Sequence, residues 1–130
     1  MIDHSQRAKE LFKQGYNCSQ AVFASFCNDL DLDLDTALKI ASSFGAGMGR
    51  LREVCGAVSR MFMVACIKYG YTDAKDIKAK KEHYKMIQEL AEQFKSVNHS
   101  IICRELLGLA PGPDNPMPEA RTKEYYKKRP

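Results

Sequence analysis

The sequence predicts an all-α, single-domain bundle of five or six helices around a buried central helix at about 52–69. Three observations predict it. Apolar residues recur at three- and four-residue steps in one segment after another, and good capping residues punctuate those segments. No strong alternating strand pattern, internal repeat or second domain is found. At 130 residues the chain is long enough for one hydrophobic core.

The elements follow in order. The first runs from about Asp3 to Gln14, with Ala8, Leu11 and Phe12 on one side and Gly15 as its stop. The second opens at Asn17, a good N-cap, with Gln20 three residues on as a capping-box partner. Its apolar positions run to the acidic turn Asp29–Asp35. The third, Asp35 to about Ser43, carries Leu38, Ala41 and Phe44 as its buried stripe. A glycine-rich loop follows, Gly45-Ala46-Gly47-Met48-Gly49-Arg50.

The fourth segment, Arg52 to Tyr69, is apolar around most of its circumference, which is the mark of a central helix. The fifth, Thr72 to Val97, is long and amphipathic, with Ile77, Tyr84, Ile87, Leu90, Phe94 and Val97 on one face. The sixth is Ile101–Leu107, ended by Gly108. The prolines then cluster, so residues 109–118 read as an extended connection. Residues 119–130 read as a polar C-terminal segment, a short helix or a loose tail.

Composition narrows the function. The net charge of +4 is mild, and most of the excess lies in Lys75–Lys85 and Lys123–Arg129. No basic stripe with interleaved aromatics occurs, so nucleic acid is not an expected partner. No apolar run approaches the ~20 residues that span a bilayer, and the N-terminus has no signal pattern. A cytoplasmic location is expected, with the five cysteines reduced by default. Helical bundles often pair through an amphipathic face such as that of the fifth segment, so a homodimer is one expectation.

The cysteines sort into two groups. Cys18, Cys55 and Cys103 each fall near the predicted start of a helix, where unpaired N–H groups and the helix dipole favour a thiolate. Cys55 follows the glycine loop directly and is the expected reactive thiolate, with Cys18 and Cys103 as resolving or co-ligating partners. Arg50 and Arg52 would add positive charge. Cys27 and Cys66 sit late in apolar helices and read as small core hydrophobes. No Cys-x-x-Cys occurs, so a disulfide or metal site must be assembled from separate helices. Cys18, Cys55 and Cys103 with a fourth ligand are the candidate metal set, for a Cys-ligated metal or an iron–sulfur cluster.

Gly45, Gly47, Gly49 and Arg50 are the candidate cofactor-binding residues, as a loop whose N–H groups cradle an anion beside Cys55. The competing reading is a tight connection that needs positive φ or close approach. The loop follows a helix and lacks Gly-Lys-Ser/Thr, so it is not a nucleotide loop. The histidines His4, His83 and His99 are scattered; His99, near Cys103 in sequence, is a candidate base or fourth ligand, with surface placement the competing and favoured reading.

Several runs together resemble a known family: Asn17-Cys18-Ser19-Gln20-Ala21-Val22, the glycine loop, Cys55-Gly56-Ala57-Val58-Ser59-Arg60, Lys68-Tyr69-Gly70 and Cys103-Arg104-Glu105-Leu106-Leu107-Gly108. They are similar to the C-GCAxxG-C-C family of small bacterial or archaeal proteins, described as putative redox-active proteins. The resemblance covers roughly Leu11 to Leu109. It implies that Cys18, Cys55 and Cys103 are family cysteines. Two departures stand out. Arg60 occupies the motif's second glycine position, and no cysteine follows Cys103 where the family has its fourth. The site therefore works with three cysteines or is completed by a segment not in this sequence.

The expectation is a redox-active cysteine protein, working by thiol redox or electron transfer with an unknown redox partner. The alternatives are a metal or iron–sulfur module on the same cysteines, and a structural or interaction protein whose cysteines only pack.

Overall fold

The computed structural model describes residues 3–111 and 114–129; two residues of the Pro-rich connection, 112 and 113, lie outside the described residues, as do 1, 2 and 130. Among the described residues the fold is all-α, with no strand and one isolated antiparallel bridge, Val54 to Ile102. The helices are α1 (His4–Lys13), α2 (Cys18–Ser25), α3 (Leu34–Ala41), α4 (Gly56–Tyr69), α5 (Ile77–Asn98), α6 (Cys103–Leu107) and α7 (Lys123–Lys127).

Local chemistry sets these boundaries. Asp3, Asn17, Asp33, Asp76 and Thr122 each accept a hydrogen bond from an N–H in the first turn of the helix that follows. The Asn17–Gln20 capping box is complete: Gln20 N–H donates to Asn17 Oδ1 at 2.8 Å, and Asn17 N–H donates to Gln20 Oε1 at 3.1 Å. α2 ends earlier than its apolar pattern suggests. Phe26 and Cys27 tighten into bonds to Phe23 and Ala24 three residues back, and the chain turns toward α3.

The core is built from Leu11, Ala21, Phe23, Ala24, Ala37, Ala41 and Val64. Its small residues let helices approach closely, and α2 packs against α1, α3 and α4. The centre is thus shared between α2 and α4. The last turn of α4 is open to solvent, with Ile67 half exposed.

α5 departs from its expected inner stripe, since Ile77, Tyr84 and Val97 are all exposed and His83 is its buried residue. At 22 residues and about 33 Å this helix is longer than the 14-residue α4 it packs against, about 21 Å long.

Two features position the site. The first is the segment before α4. Helix is expected from Arg52, but residues 52–55 are not helical and pair with residues 101–104. Cys55 N–H donates to Ile101 O at 2.8 Å, Cys103 N–H to Glu53 O at 2.6 Å and Arg104 N–H to Arg52 O at 3.1 Å. This pairing delays α4 to Gly56, so Cys55 caps the helix from outside its first turn. It also ties Cys55 to Cys103.

The second feature is the glycine loop, which folds as a left-handed turn. Ala46, Gly47, Met48, Gly49 and Arg50 all have φ between +55° and +71°. Each non-glycine residue there costs about 1 kcal/mol. The strain is held by packing. A Cβ on Gly47 would sit 2.6 Å from Cys103 Cβ and 2.7 Å from Arg52 Cα, and one on Gly45 would collide with the Asn17 side chain.

Candidate functional site

Cys18 is the first residue of α2, Cys55 the N-cap of α4 and Cys103 the first residue of α6. All three line one cavity of about 540 Å³.

Cys18 Sγ lies against Gly56, the residue after Cys55, and each thiol is the largest influence on the other's ionisation. Their approach depends on Gly56, because a Cβ there would lie 2.9 Å from Cys18 Sγ. The two ionisations are linked and together favour one proton on two sulfurs. The Cys55 thiol is the largest influence on Cys18. Burial opposes the charge, but backbone N–H groups of Ala46, Gly56 and Ser19 reinforce it, and the Cys18 pKa falls to about 6. Cys55 moves the other way. The Cys18 thiol acts on it most, it is buried, and it faces the Cys18 charge, so its pKa is pushed far up. The thiolate expected at Cys55 is therefore favoured at Cys18, and Cys55 holds the proton.

The anion cradle expected of the glycine loop acquires a specific meaning. Ala46, at the start of the left-handed turn, favours negative charge on the Cys18 sulfur through its backbone N–H. The anion beside the loop is a side chain of the protein itself. Gly45, Gly49 and Arg50 line the cavity, whereas Gly47 packs beneath Cys103.

Cys103 is buried and has a different partner. Arg52 Nη1 donates to Cys103 Sγ at 3.5 Å. Arg52 is itself 1% exposed, at φ +62°. Its Nη2 meets Asp114 at 3.0 Å and Glu119 at 3.2 Å. Burial works against the Arg52 charge, but Cys103 and Asp114 outweigh it and its pKa is raised. Arg50 joins the same network, 2.8 Å from Asp114, and Arg129 lies 3.3 Å from Glu119. Arg52 holds the carboxyl of Asp114 below the usual range. Arg50 and Arg52 thus serve Cys103 and the segment after residue 113 rather than Cys55.

Among the described residues, no three of His, Cys, Asp and Glu stand close enough together to hold a metal ion. The set Cys18, Cys55 and Cys103 does not fit a metal or cluster in this arrangement.

One expectation about another residue is corrected: Cys66 is exposed instead of packed in the core, because the α4 end is uncovered. His83 is buried, with Nε2 3.5 Å from Cys66 Sγ and Nδ1 without a partner among the described residues. Arg60, at the motif's glycine position, is buried and lies 3.9 Å over the Phe44 ring. Sequence reasoning missed Asp114, Glu119, Arg121 and Arg129. They come from the Pro-rich connection and the polar C-terminal segment, where nothing local marks them.

No curated protein and no solved structure matches the chain. Among the described residues no helix is long and apolar enough to cross a membrane. Residues 16–130, most of the chain and all three clustered cysteines, match the family described as "Putative redox-active protein (C_GCAxxG_C_C)", and the chain belongs to that family.

Proposed function

We propose that the chain is a dithiol redox protein whose working pair is Cys18 and Cys55. Cys18 is the attacking thiolate and Cys55 the proton-holding, resolving thiol. The observation that carries this reading is the placement of Cys18 Sγ against Gly56, the residue after Cys55, in the cavity that both cysteines line.

The chemistry balances against a disulfide. The Cys18 thiolate attacks one sulfur of the substrate, an S–S bond forms to Cys18, and the substrate's own S–S bond breaks. The departing thiolate takes the proton that Cys55 has been holding. Cys55, now a thiolate, attacks Cys18 Sγ and releases the second substrate thiolate. The protein ends as a Cys18–Cys55 disulfide, oxidised by two electrons, and the substrate as one thiol and one thiolate, which takes its proton from water. Such a pair is kept working by a reducing compartment such as the cytoplasm.

The test is oxidation of the reduced protein with a small disulfide, followed by peptide mapping. A Cys18–Cys55 disulfide is expected, and Cys55→Ser should stop at a mixed disulfide on Cys18. Oxidation that leaves Cys18 and Cys55 unlinked overturns the reading.

A further inference from the structure

The cavity over the cysteines has a charge pattern that the thiol pair alone does not require. Its volume, about 540 Å³, is that of a small-molecule site. Apolar side chains including Phe12, Val22 and Leu106 form part of its wall. Lys9, Arg50, Arg52, Arg121 and Arg129 line it too, against a single lining carboxylate, Glu119.

Most of these cations are already matched. Asp114 and Glu119 together serve Arg50, Arg52 and Arg129. Lys9 and Arg121 have no carboxylate within ion-pair distance among the described residues. Arg121 is nonetheless held in place. Its guanidinium lies 4.4 Å from the Tyr125 ring centroid and 5.4 Å from that of Phe12, and Nη2 donates to Gly15 O at 3.2 Å. A positioned guanidinium without an anion suits a carboxylate. Deeper in, Arg52 is almost fully buried, yet its Nε has no partner among the described residues.

We propose that the substrate of the Cys18–Cys55 pair is a low-molecular-weight disulfide bearing carboxylates, bound in this cavity with Lys9 and Arg121 reading its charge. This rests on the dithiol reading above and adds the substrate class. The soft S–S bond meets the Cys18 thiolate, the aliphatic arms meet the apolar wall, and the carboxylates meet the unmatched cations. The exchange is the one written above, ending in two carboxylated thiols and the Cys18–Cys55 disulfide. A lone thiolate repels an anionic disulfide, so a preference for one must come from the surrounding cations.

The test is a charge series at low salt: 3,3′-dithiodipropionate, the neutral bis(2-hydroxyethyl) disulfide and the dicationic cystamine, each oxidising the reduced protein. The expected order of rate constants is anionic, neutral, cationic, with about tenfold between the first two. In Lys9→Gln/Arg121→Gln the ratio of anionic to neutral rates falls to about one, and Lys9→Arg/Arg121→Lys restores it. Equal rates for all three disulfides overturn this inference and leave the dithiol reading standing. So does a preference that survives loss of both cations, or faster oxidation by a folded protein's disulfide than by dithiodipropionate. If none of the small disulfides links Cys18 to Cys55, the dithiol reading itself falls.

Discussion

Cys18 Sγ lies against Gly56, the residue after Cys55, and of the two cysteines Cys18 favours the charge and Cys55 the hydrogen. That asymmetry comes from placement. Cys18 sits inside a helix's first turn and receives N–H groups from its own helix, from the glycine loop and from Gly56. Cys55 sits just outside its helix, where Ala57 and Val58 favour its charge but burial and the Cys18 charge outweigh them.

The first consequence is a selective titration. Alkylation of Cys18 should follow a thiolate fraction with its midpoint near pH 6. At pH 7 that is about 90% ionised, against a few per cent for an ordinary thiol. Cys55→Ala should move the midpoint up, because it removes the largest stabilising influence. Iodoacetamide kinetics followed by peptide mass spectrometry give the answer, and faster labelling of Cys55 than of Cys18 would sink the assignment.

Stability should follow the same proton. Cys18 is depressed on folding, so its contribution is complete above the ordinary thiol range and is lost as pH falls through about 6. Cys55 is raised, so its contribution is complete below the ordinary thiol range and declines as pH rises beyond it. The urea midpoint of the wild type relative to Cys18→Ser/Cys55→Ser should therefore climb between pH 5 and pH 8. A difference that falls with pH over that window contradicts the proton placement.

Gly47→Ala should be severe. The new Cβ would press on Cys103 Cβ and on the backbone of Arg52 and Glu53, at a φ of +68°. A loss of about 3 kcal/mol is expected, or about 10 °C in Tm. Gly15→Ala is the comparison: Gly15 also has positive φ but has no neighbour within 4 Å of a Cβ, so only the backbone cost applies. Calorimetry of the two variants separates crowding from strain, and equal losses would refute the crowding.

Asn17→Ala should cost about 1 kcal/mol through the lost cap. It should also disturb chemistry. The Asn17 side chain donates to Ser42 O at 3.1 Å and fills the space beside Gly45, so it joins the start of α2 to the glycine loop. Loosening that joint takes Ala46 N–H away from Cys18. The alkylation midpoint should rise, and an unchanged midpoint with lowered Tm would limit Asn17 to capping.

Much of the architecture is legible along the chain because caps and apolar spacing are local. Asn17 with Gln20 specifies the start of α2 and puts Cys18 at its head. Gly108 at φ +66° ends α6 as its position suggests. The segment before α4 is legible only in part. Its residues are compatible with helix, and the pairing of residues 52–55 with 101–104 is a contact across nearly fifty residues that no local pattern announces.

By itself, then, the sequence determined the all-α class, most helix starts, and that Cys18, Cys55 and Cys103 stand at or beside helix starts. These follow from backbone capping and from the period of apolar side chains, both set within a turn or two. Only the tertiary structure decided how the three divide. Cys18 and Cys55 form a proton-sharing pair because Gly56 lets α2 and α4 approach closely. Cys103 stands with Arg52, whose charge is held by Asp114 and Glu119. A thiol's protonation depends on which donors and charges lie within a few ångströms of the sulfur, and those come from distant parts of the chain.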